Sequence, residues 1–326
     1  MQATTSRPRI ALYWASGCGG CEIAFVNLHE RLLELDARFE IFFCPCLVDT
    51  KRQDVEALPD GALALTLLDG AQRSDENVEM AQLLRRKSQL LVAYGSCAHE
   101  GCLPGLANLR PTASLLDTVY AGMSEPSRPR ARAAVPQGEL HLPTLLPRVL
   151  PLADVVDVDY VIPGCPPEPD TLWRALGQMF TEPPPPRGAV LGAGESAVCR
   201  ECALRREDKT IVRLRRVHEL IPEPTRCLLE QGILCMGPAT RDGCGALCTR
   251  VGMPCIGCYG APEGVPDQGA AMAGAVGSIL DIEPLRDRSD KEIAAAVDAT
   301  LDAVPDWAGS CYKFSLAASL LGGRRT

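Results

Sequence analysis

No run of about 18 apolar residues occurs anywhere in the 326-residue chain, so no segment of the length needed to cross a bilayer as a helix is expected. Positive charge is in short supply: 33 Lys and Arg stand against 41 Asp and Glu, for a formal charge of -8. A chain of that sign lacks the surplus that phosphate neutralisation requires, which argues against nucleic acid as its main partner. The basic run Arg205, Arg206, Lys209, Arg213, Arg215 and Arg216 is interleaved with acids and reads as a solvated face. Histidine is scarce as well. His29, His99, His141 and His218 form no catalytic set, and only His99 stands near a cysteine, Cys97. Met1 to Arg9 carry neither an apolar signal core nor a twin arginine, so the expectation is a reducing, cytoplasmic compartment without structural disulfides. Gly192-Ala-Gly194 lacks the third glycine and the strand-to-helix setting of a dinucleotide fingerprint, and reads as a linker turn.

Against these shortages stands an excess: sixteen cysteines, roughly 5% of the chain, a lower density than in a small disulfide scaffold but more than a routine cytosolic enzyme carries. The first half alternates short apolar runs with helical patterns, the rhythm of a parallel sheet flanked by helices. Strands are expected at Ile10 to Trp14, Phe39 to Phe43, Ala62 to Leu68, Leu90 to Tyr94 and Val155 to Ile162, with helices over Glu22 to Leu35 and Asn77 to Lys87. The fold class is therefore α/β, a flavodoxin-like doubly wound parallel sheet. Ser124 to Pro151, rich in Pro and Arg without a clear period, reads as an extended surface insertion.

After a helix over Asp170 to Phe180, Glu182-Pro-Pro-Pro-Pro-Arg187 cannot continue a helix and reads as a stiff connector. This divides the chain into residues 1–181, a linker at 182–187, and 188–326. In the last part Cys, Gly and Pro crowd Cys199 to Pro266 before helical segments return near Gln268 to Leu280 and Asp290 to Val304, the second capped by Ser289. So little aliphatic material calls for another source of cohesion, and metal ligation supplies one.

Cys18 and Cys21 lie in Ser16-Gly-Cys-Gly-Gly-Cys-Glu22, which ends the first strand and opens a helix. Two cysteines at this spacing hold a metal centre; a thioredoxin-like redox pair is the competing reading. Cys97 and Cys165 also sit just past expected strands, in Gly95-Ser-Cys97 and Gly164-Cys165-Pro-Pro167. Strand ends in an open α/β sheet converge on one crevice, so Cys18, Cys21, Cys97 and Cys165 are expected to meet. Four thiolates suit a cubane iron–sulfur cluster, and zinc has the same ligand appetite. The second half supplies Cys199, Cys202, Cys227, Cys235, Cys244, Cys248, Cys255 and Cys258, the count for two further four-ligand sites. A two-cluster ferredoxin arrangement and two zinc ribbons both match that count, although the irregular gaps are unlike tandem ribbons.

Several longer motifs carry more information: Gly17-Cys-Gly-Gly-Cys-Glu22, Gly95-Ser-Cys97 with Pro104-Gly-Leu-Ala-Asn108, Asp157-Val-Asp-Tyr-Val-Ile-Pro-Gly-Cys-Pro-Pro167, and Pro254-Cys-Ile-Gly-Cys-Tyr-Gly260 with Asp267-Gln-Gly269. Through them nearly the whole chain resembles the small subunits of nickel-iron hydrogenases, in particular the cytoplasmic, deazaflavin-non-reducing branch associated with heterodisulfide reductase. The resemblance implies an electron-transfer subunit of an oxidoreductase with three 4Fe-4S clusters: a proximal one on Cys18, Cys21, Cys97 and Cys165, a distal one on Cys199, Cys202, Cys227 and Cys235, and a medial one on Cys244, Cys248, Cys255 and Cys258. It implies a large subunit that holds the nickel-iron site, and a downstream iron–sulfur or flavin acceptor of the heterodisulfide-reductase kind. This chain lacks the second CxxC pair that nickel-iron ligation needs near a C-terminus, since its last cysteine is the solitary Cys311. A relay subunit whose partner lacks nickel-iron is the alternative of the same fold, and a zinc-stabilised interaction module is the alternative of another class. Glu22 reads either as a polar or proton-handling group near the subunit interface or as a first-turn acid of its helix. Gly101-Cys102 departs from the family's Gly-Gly and sets an extra thiol near the proximal set; Cys44, Cys46 and Cys311 complete the unassigned thiols.

Overall fold

The computed structural model describes residues 7–119, 142–207, 209–304 and 306–322. Six strands form one parallel sheet: β1 (Arg9–Trp14), β2 (Glu40–Phe43), β3 (Leu63–Asp69), β5 (Ser88–Tyr94), β7 (Tyr160–Ile162) and β8 (Ala189–Val190), in the spatial order β2-β1-β3-β5-β7-β8. The order reverses between β1 and β3, which opens a crevice at the carboxyl ends of the strands. A second, antiparallel pair joins β4 (Gln72–Ser74) to β6 (Leu145–Leu150). The flavodoxin-like α/β class read from the sequence is the one observed.

Alternation along the strands sends side chains to two layers. Ile10, Leu12, Leu65, Leu67, Val92, Tyr94 and Ile162 face α1 (Gly20–Val26), α2 (Arg31–Arg38) and α8 (Pro169–Met179). Ala11, Leu68, Leu91, Ala93 and Val161 face α3 (Arg52–Glu56), α4 (Asp75–Lys87) and α5 (Gly95–Glu100). The short helices α6 (Cys102–Gly105) and α7 (Thr112–Asp117) continue the chain beyond α5. Burial of both faces explains why these strands read as continuous apolar runs.

Three expectations are corrected. The helix expected over Glu22 to Leu35 is two helices, α1 and α2, separated at His29, whose φ of 53° lies in the left-handed region. Cys21, Phe25, Leu28, Leu32 and Leu35 keep helical spacing across the break and pack into one core, so the pattern does not announce it. The strand expected over Val155 to Ile162 is confined to Tyr160–Ile162, because Leu152–Asp154 forms a helical turn and Val155 follows it. The insertion expected from Ser124 to Pro151 includes an ordered strand, β6, paired with β4; its earlier part and His141 lie outside the described residues.

Asp159 ties the start of β7 to its neighbours. Its carboxylate is 1% exposed, accepts the Leu91 N–H at 2.8 Å, pairs with Arg85 at 2.6 Å and also meets Arg187 in the proline segment. Removing one partner of a buried pair leaves the other charge uncompensated. Asp159→Ala is therefore expected to cost about 3 kcal/mol in chemical denaturation, whereas Arg187→Ala, whose side chain is 74% exposed, is expected to cost under about 1 kcal/mol.

Beyond β8 the chain forms the cysteine-rich part, with α9 (Leu247–Arg250), α10 (Gln268–Ile279), α11 (Asp290–Leu301) and α12 (Trp307–Cys311). Its apolar centre combines Val198, Ile211, Leu214, Leu228, Ile233, Met272 and Val276 with Cys235, Cys255 and Cys311. Asp267 caps α10 through the Ala270 N–H, and the Ser289 N–H donates to Glu292 at the start of α11. Polar contacts join this part to the sheet: Tyr259 Oη meets Thr171 Oγ1 at 3.1 Å, and the Ser96 hydroxyl donates to the Cys258 carbonyl at 2.5 Å.

Candidate functional site

The loops after β1, β5 and β7 bring Cys18, Cys21, Cys97 and Cys165 around one small cavity, together with Gly17, Gly19, Gly20, Asp69, Ser96, Gly164 and Pro166. Glycine is required at two of these turns. Gly95 has φ +81°, and a Cβ there would come within 2.5 Å of Cys21 Sγ. Gly164 has φ +129°, with the Pro167 backbone in the space a Cβ would take. Ser96 knits the loops: its N–H donates to the Gly164 carbonyl at 2.8 Å, its hydroxyl oxygen accepts the Gly164 N–H at 3.3 Å, and its hydroxyl reaches Cys258. Tyr94 Oη donates to the Cys21 carbonyl at 2.9 Å and fixes the first turn of α1.

The eight remaining candidate cysteines fall into two neighbourhoods. Burial pushes the Cys199 thiol up to about 12, helped by the nearby thiols of Cys235, Cys227 and Cys202. Burial likewise pushes Cys258 up to about 12, with Cys244, Cys248 and Cys165 adding to it. Cys255 is raised by burial too and feels both Cys235 and Cys258. The Cys255 N–H donates to Cys235 Sγ at 3.3 Å, which joins the two groups, and Cys258 lies close enough to Cys165 of the sheet crevice to feel its charge. Gly237 stands where a Cβ would press to 2.9 Å from Cys199 Sγ.

Iron–sulfur centres suit these donors. Buried thiols that raise one another's pKa cannot all ionise unaided, and a cationic iron core is what makes a set of thiolates tolerable inside a protein. The glycines at 95 and 237 leave the space beside sulfur that a larger group needs. Among the described residues no three His, Cys, Asp or Glu side chains close in on the spacing of a single metal ion.

An acidic pair is only half legible in the sequence. Glu22 stands out there as a candidate, but Asp69, the last residue of β3, does not. Both Glu22 carboxylate oxygens are buried and take no backbone N–H or alcohol O–H among the described residues. Asp69 is 4% exposed and lies carboxyl to carboxyl with Glu22; burial first, then Glu22, pushes its pKa well above the usual carboxylate range. The available signal is an acid closing an apolar strand, followed by Gly70 at φ +84°. Trp14, Ile23, Val26 and Leu47, which share an apolar groove with Glu22, are 41, 63, 46 and 51% exposed, and Cys18 is exposed among them.

The unassigned thiols differ in setting. Cys44 and Cys46 line an apolar groove beside Cys18, with Cys44 buried and Cys46 exposed. Cys311 is buried in the apolar centre of the second part, which pushes its thiol up to about 11. Cys102 is fully buried with its Sγ 3.5 Å from Cys165 Sγ. Among the histidines His218 is exposed, and His99 lines a polar cavity with Arg241 and Asp267 rather than the cysteine crevice.

A parallel α/β sheet with four cysteines at its strand ends, packed against a second part rich in buried thiols, is an arrangement suited to an electron-transfer component of an oxidoreductase complex. Residues 18–179 match the family model described as NADH ubiquinone oxidoreductase, 20 Kd subunit. The chain is 37% identical over 297 residues to the iron-sulfur subunit of the F420-non-reducing hydrogenase of Archaeoglobus profundus, covering 87% of this chain and 92% of that protein. It is 32% identical over 316 residues to the corresponding F420-non-reducing hydrogenase subunit of Methanothermobacter thermautotrophicus, covering 96% of each. A solved structure of an NAD+-reducing nickel-iron hydrogenase in the H2-reduced state shares 31% identity, covers 56% of this chain and 94% of that chain, and superposes with a TM-score of 0.45. The chain belongs to the hydrogenase small-subunit family, in the branch of these F420-non-reducing hydrogenase subunits. No helix among the described residues is long and apolar enough to cross a membrane.

Proposed function

We propose that the chain relays single electrons through three 4Fe-4S clusters between the nickel-iron site of a large subunit and a cytoplasmic iron–sulfur or flavin acceptor of the heterodisulfide-reductase kind. Residues 1–181 hold the first cluster on Cys18, Cys21, Cys97 and Cys165. Residues 188–326, beyond the linker at 182–187, hold a medial cluster on Cys244, Cys248, Cys255 and Cys258 and a distal one on Cys199, Cys202, Cys227 and Cys235. The clusters supply the one-electron chemistry; the chain's residues fix their order and surroundings. The observation that supports this reading is that neighbouring sets adjoin, with the Cys255 N–H on Cys235 Sγ at 3.3 Å and Cys258 close enough to Cys165 to feel its charge.

The face bearing Cys18 suits the large subunit. Its exposed Trp14, Ile23, Val26 and Leu47 are apolar and clustered, as the buried core of a lasting interface requires. Glu22 and Asp69 sit on that face as the groups able to hold a proton next to the first cluster.

Anaerobic co-purification with metal analysis tests the reading. The complex is expected to be brown and to carry nickel, with about twelve iron and about twelve sulfide assigned to this subunit. Iron without nickel in the partner overturns the hydrogen-splitting assignment. A colourless subunit with zinc overturns the relay.

A further inference from the structure

Five thiols crowd the sheet crevice, yet only four of them line its cavity. Cys102 does not: it stands behind Cys165, with the two sulfurs 3.5 Å apart. We propose that Cys102 is a positioning and tuning residue, whose S–H donates to the Cys165 sulfur and raises the potential of the cluster held there, without itself ligating iron. This rests on the assignment of Cys165 as a ligand.

The placement of this thiol is built in from two sides. Cys102 adopts φ +47°, a left-handed conformation that a side-chain-bearing residue holds only when its surroundings impose it. Its N–H donates to the Phe314 carbonyl at 3.0 Å, which ties it to the C-terminal segment. The preceding Gly101 has φ +84°, and Ala317 occupies the space a Cβ there would need, at 2.5 Å. The residue is 0% exposed, so no water competes for its hydrogen. Four thiolates already complete a cubane's corners, and the fifth sulfur is directed at a ligand atom rather than at the cavity.

The sign follows from charge. A reduced cluster carries one more negative charge than an oxidised one, much of it on its sulfur ligands, so a donor to a ligand sulfur stabilises the reduced form more. Removing the donor is expected to lower the equilibrium constant for reduction about tenfold, equivalent to about 59 mV for one electron.

The experiment uses the complete anaerobic complex with Cys102→Ala, Cys102→Ser and, separately, Cys165→Ala. Iron content is measured, and the first cluster's midpoint is followed by electron paramagnetic resonance in a redox titration. Cys102→Ala is expected to keep its iron and shift the midpoint down, with serine, which restores a donor, returning it toward the wild-type value. The infrared difference spectrum of the wild-type complex on reduction should also contain an S–H stretching band that Cys102→Ser lacks; this reads the bond directly even if the alanine variant fails to assemble. An unchanged alanine midpoint, or absence of that band, overturns the proposal. Loss of the first cluster in both Cys102 variants overturns it in favour of ligation. Retention of the cluster in Cys165→Ala instead removes the ligand assignment beneath it, a separate failure.

Discussion

Cys258→Ala is expected to stop hydrogen-dependent reduction of an external dye by the complex while leaving the first cluster loaded. Cys258 is where the sheet crevice meets the cysteine-rich part: its thiol lies near Cys165, Cys244 and Cys248, and its carbonyl receives the Ser96 hydroxyl. Losing this sulfur removes a corner of the middle set, and the proposed line of three then has a gap at its centre. The fall in dye reduction should be at least roughly a hundredfold, the upper end of what disturbing only the hydrogen-bonded surroundings of a metal ligand costs. Steady-state dye reduction and low-temperature spectra of the hydrogen-reduced complex check the two halves of this expectation. Loss of all three cluster signals together would mean that Cys258 serves folding of the whole chain rather than one set.

Gly95→Ala is expected to empty the first site without removing any thiol. At φ +81° an alanine already costs about 1–2 kcal/mol in backbone strain. Its Cβ would also fall 2.5 Å from Cys21 Sγ, so that sulfur must shift from its place beside the other three. Gly61→Ala supplies the contrast, because Gly61 has φ +72° but nothing within 4 Å of the added carbon. Both variants should lose stability in denaturant titrations, Gly61→Ala by about 1 kcal/mol. Only Gly95→Ala should lose about a third of the subunit's iron. Equal iron in the two would place the steric argument in error.

Much of this is legible in the chain. Runs such as Leu63–Asp69 and Ser88–Tyr94 are apolar on both faces because helices cover both sides of the sheet, and Cys18, Cys97 and Cys165 stand out because each lies just past such a run. What escapes has a physical reason in each case. The break at His29 is made by one backbone torsion inside an unbroken apolar stripe, and periodicity records side chains, not torsions. The two residues of β8 are too few for any pattern, and their pairing is decided by β7. Asp69 belongs by composition to the solvent; only the fold shows it buried against Glu22. Cys102 is visible as a surplus thiol, but its contact with Cys165 spans 63 positions and needs the strand order. The line of contact from Cys165 to Cys258, and from Cys255 to Cys235, likewise depends on how the two parts pack.

The last strand of the sheet lies on the far side of the proline segment. β8 pairs in parallel with β7 through Tyr160 with Ala189 and Val161 with Val190, and the Leu191 N–H adds a bond to the Val161 carbonyl at 2.8 Å. The outer edge of β7 is thus closed by the beginning of the cysteine-rich part, and Arg187 of the connector reaches the buried Asp159. A chain ending at residue 181 would present β7 as an open edge with unpaired backbone groups, the kind of template on which sheets from separate molecules join. The segment read as a stiff connector is in effect a clasp. It makes the order of synthesis matter, because the first sheet acquires its protected edge only after the ribosome has passed the prolines and begun the cysteine-rich part.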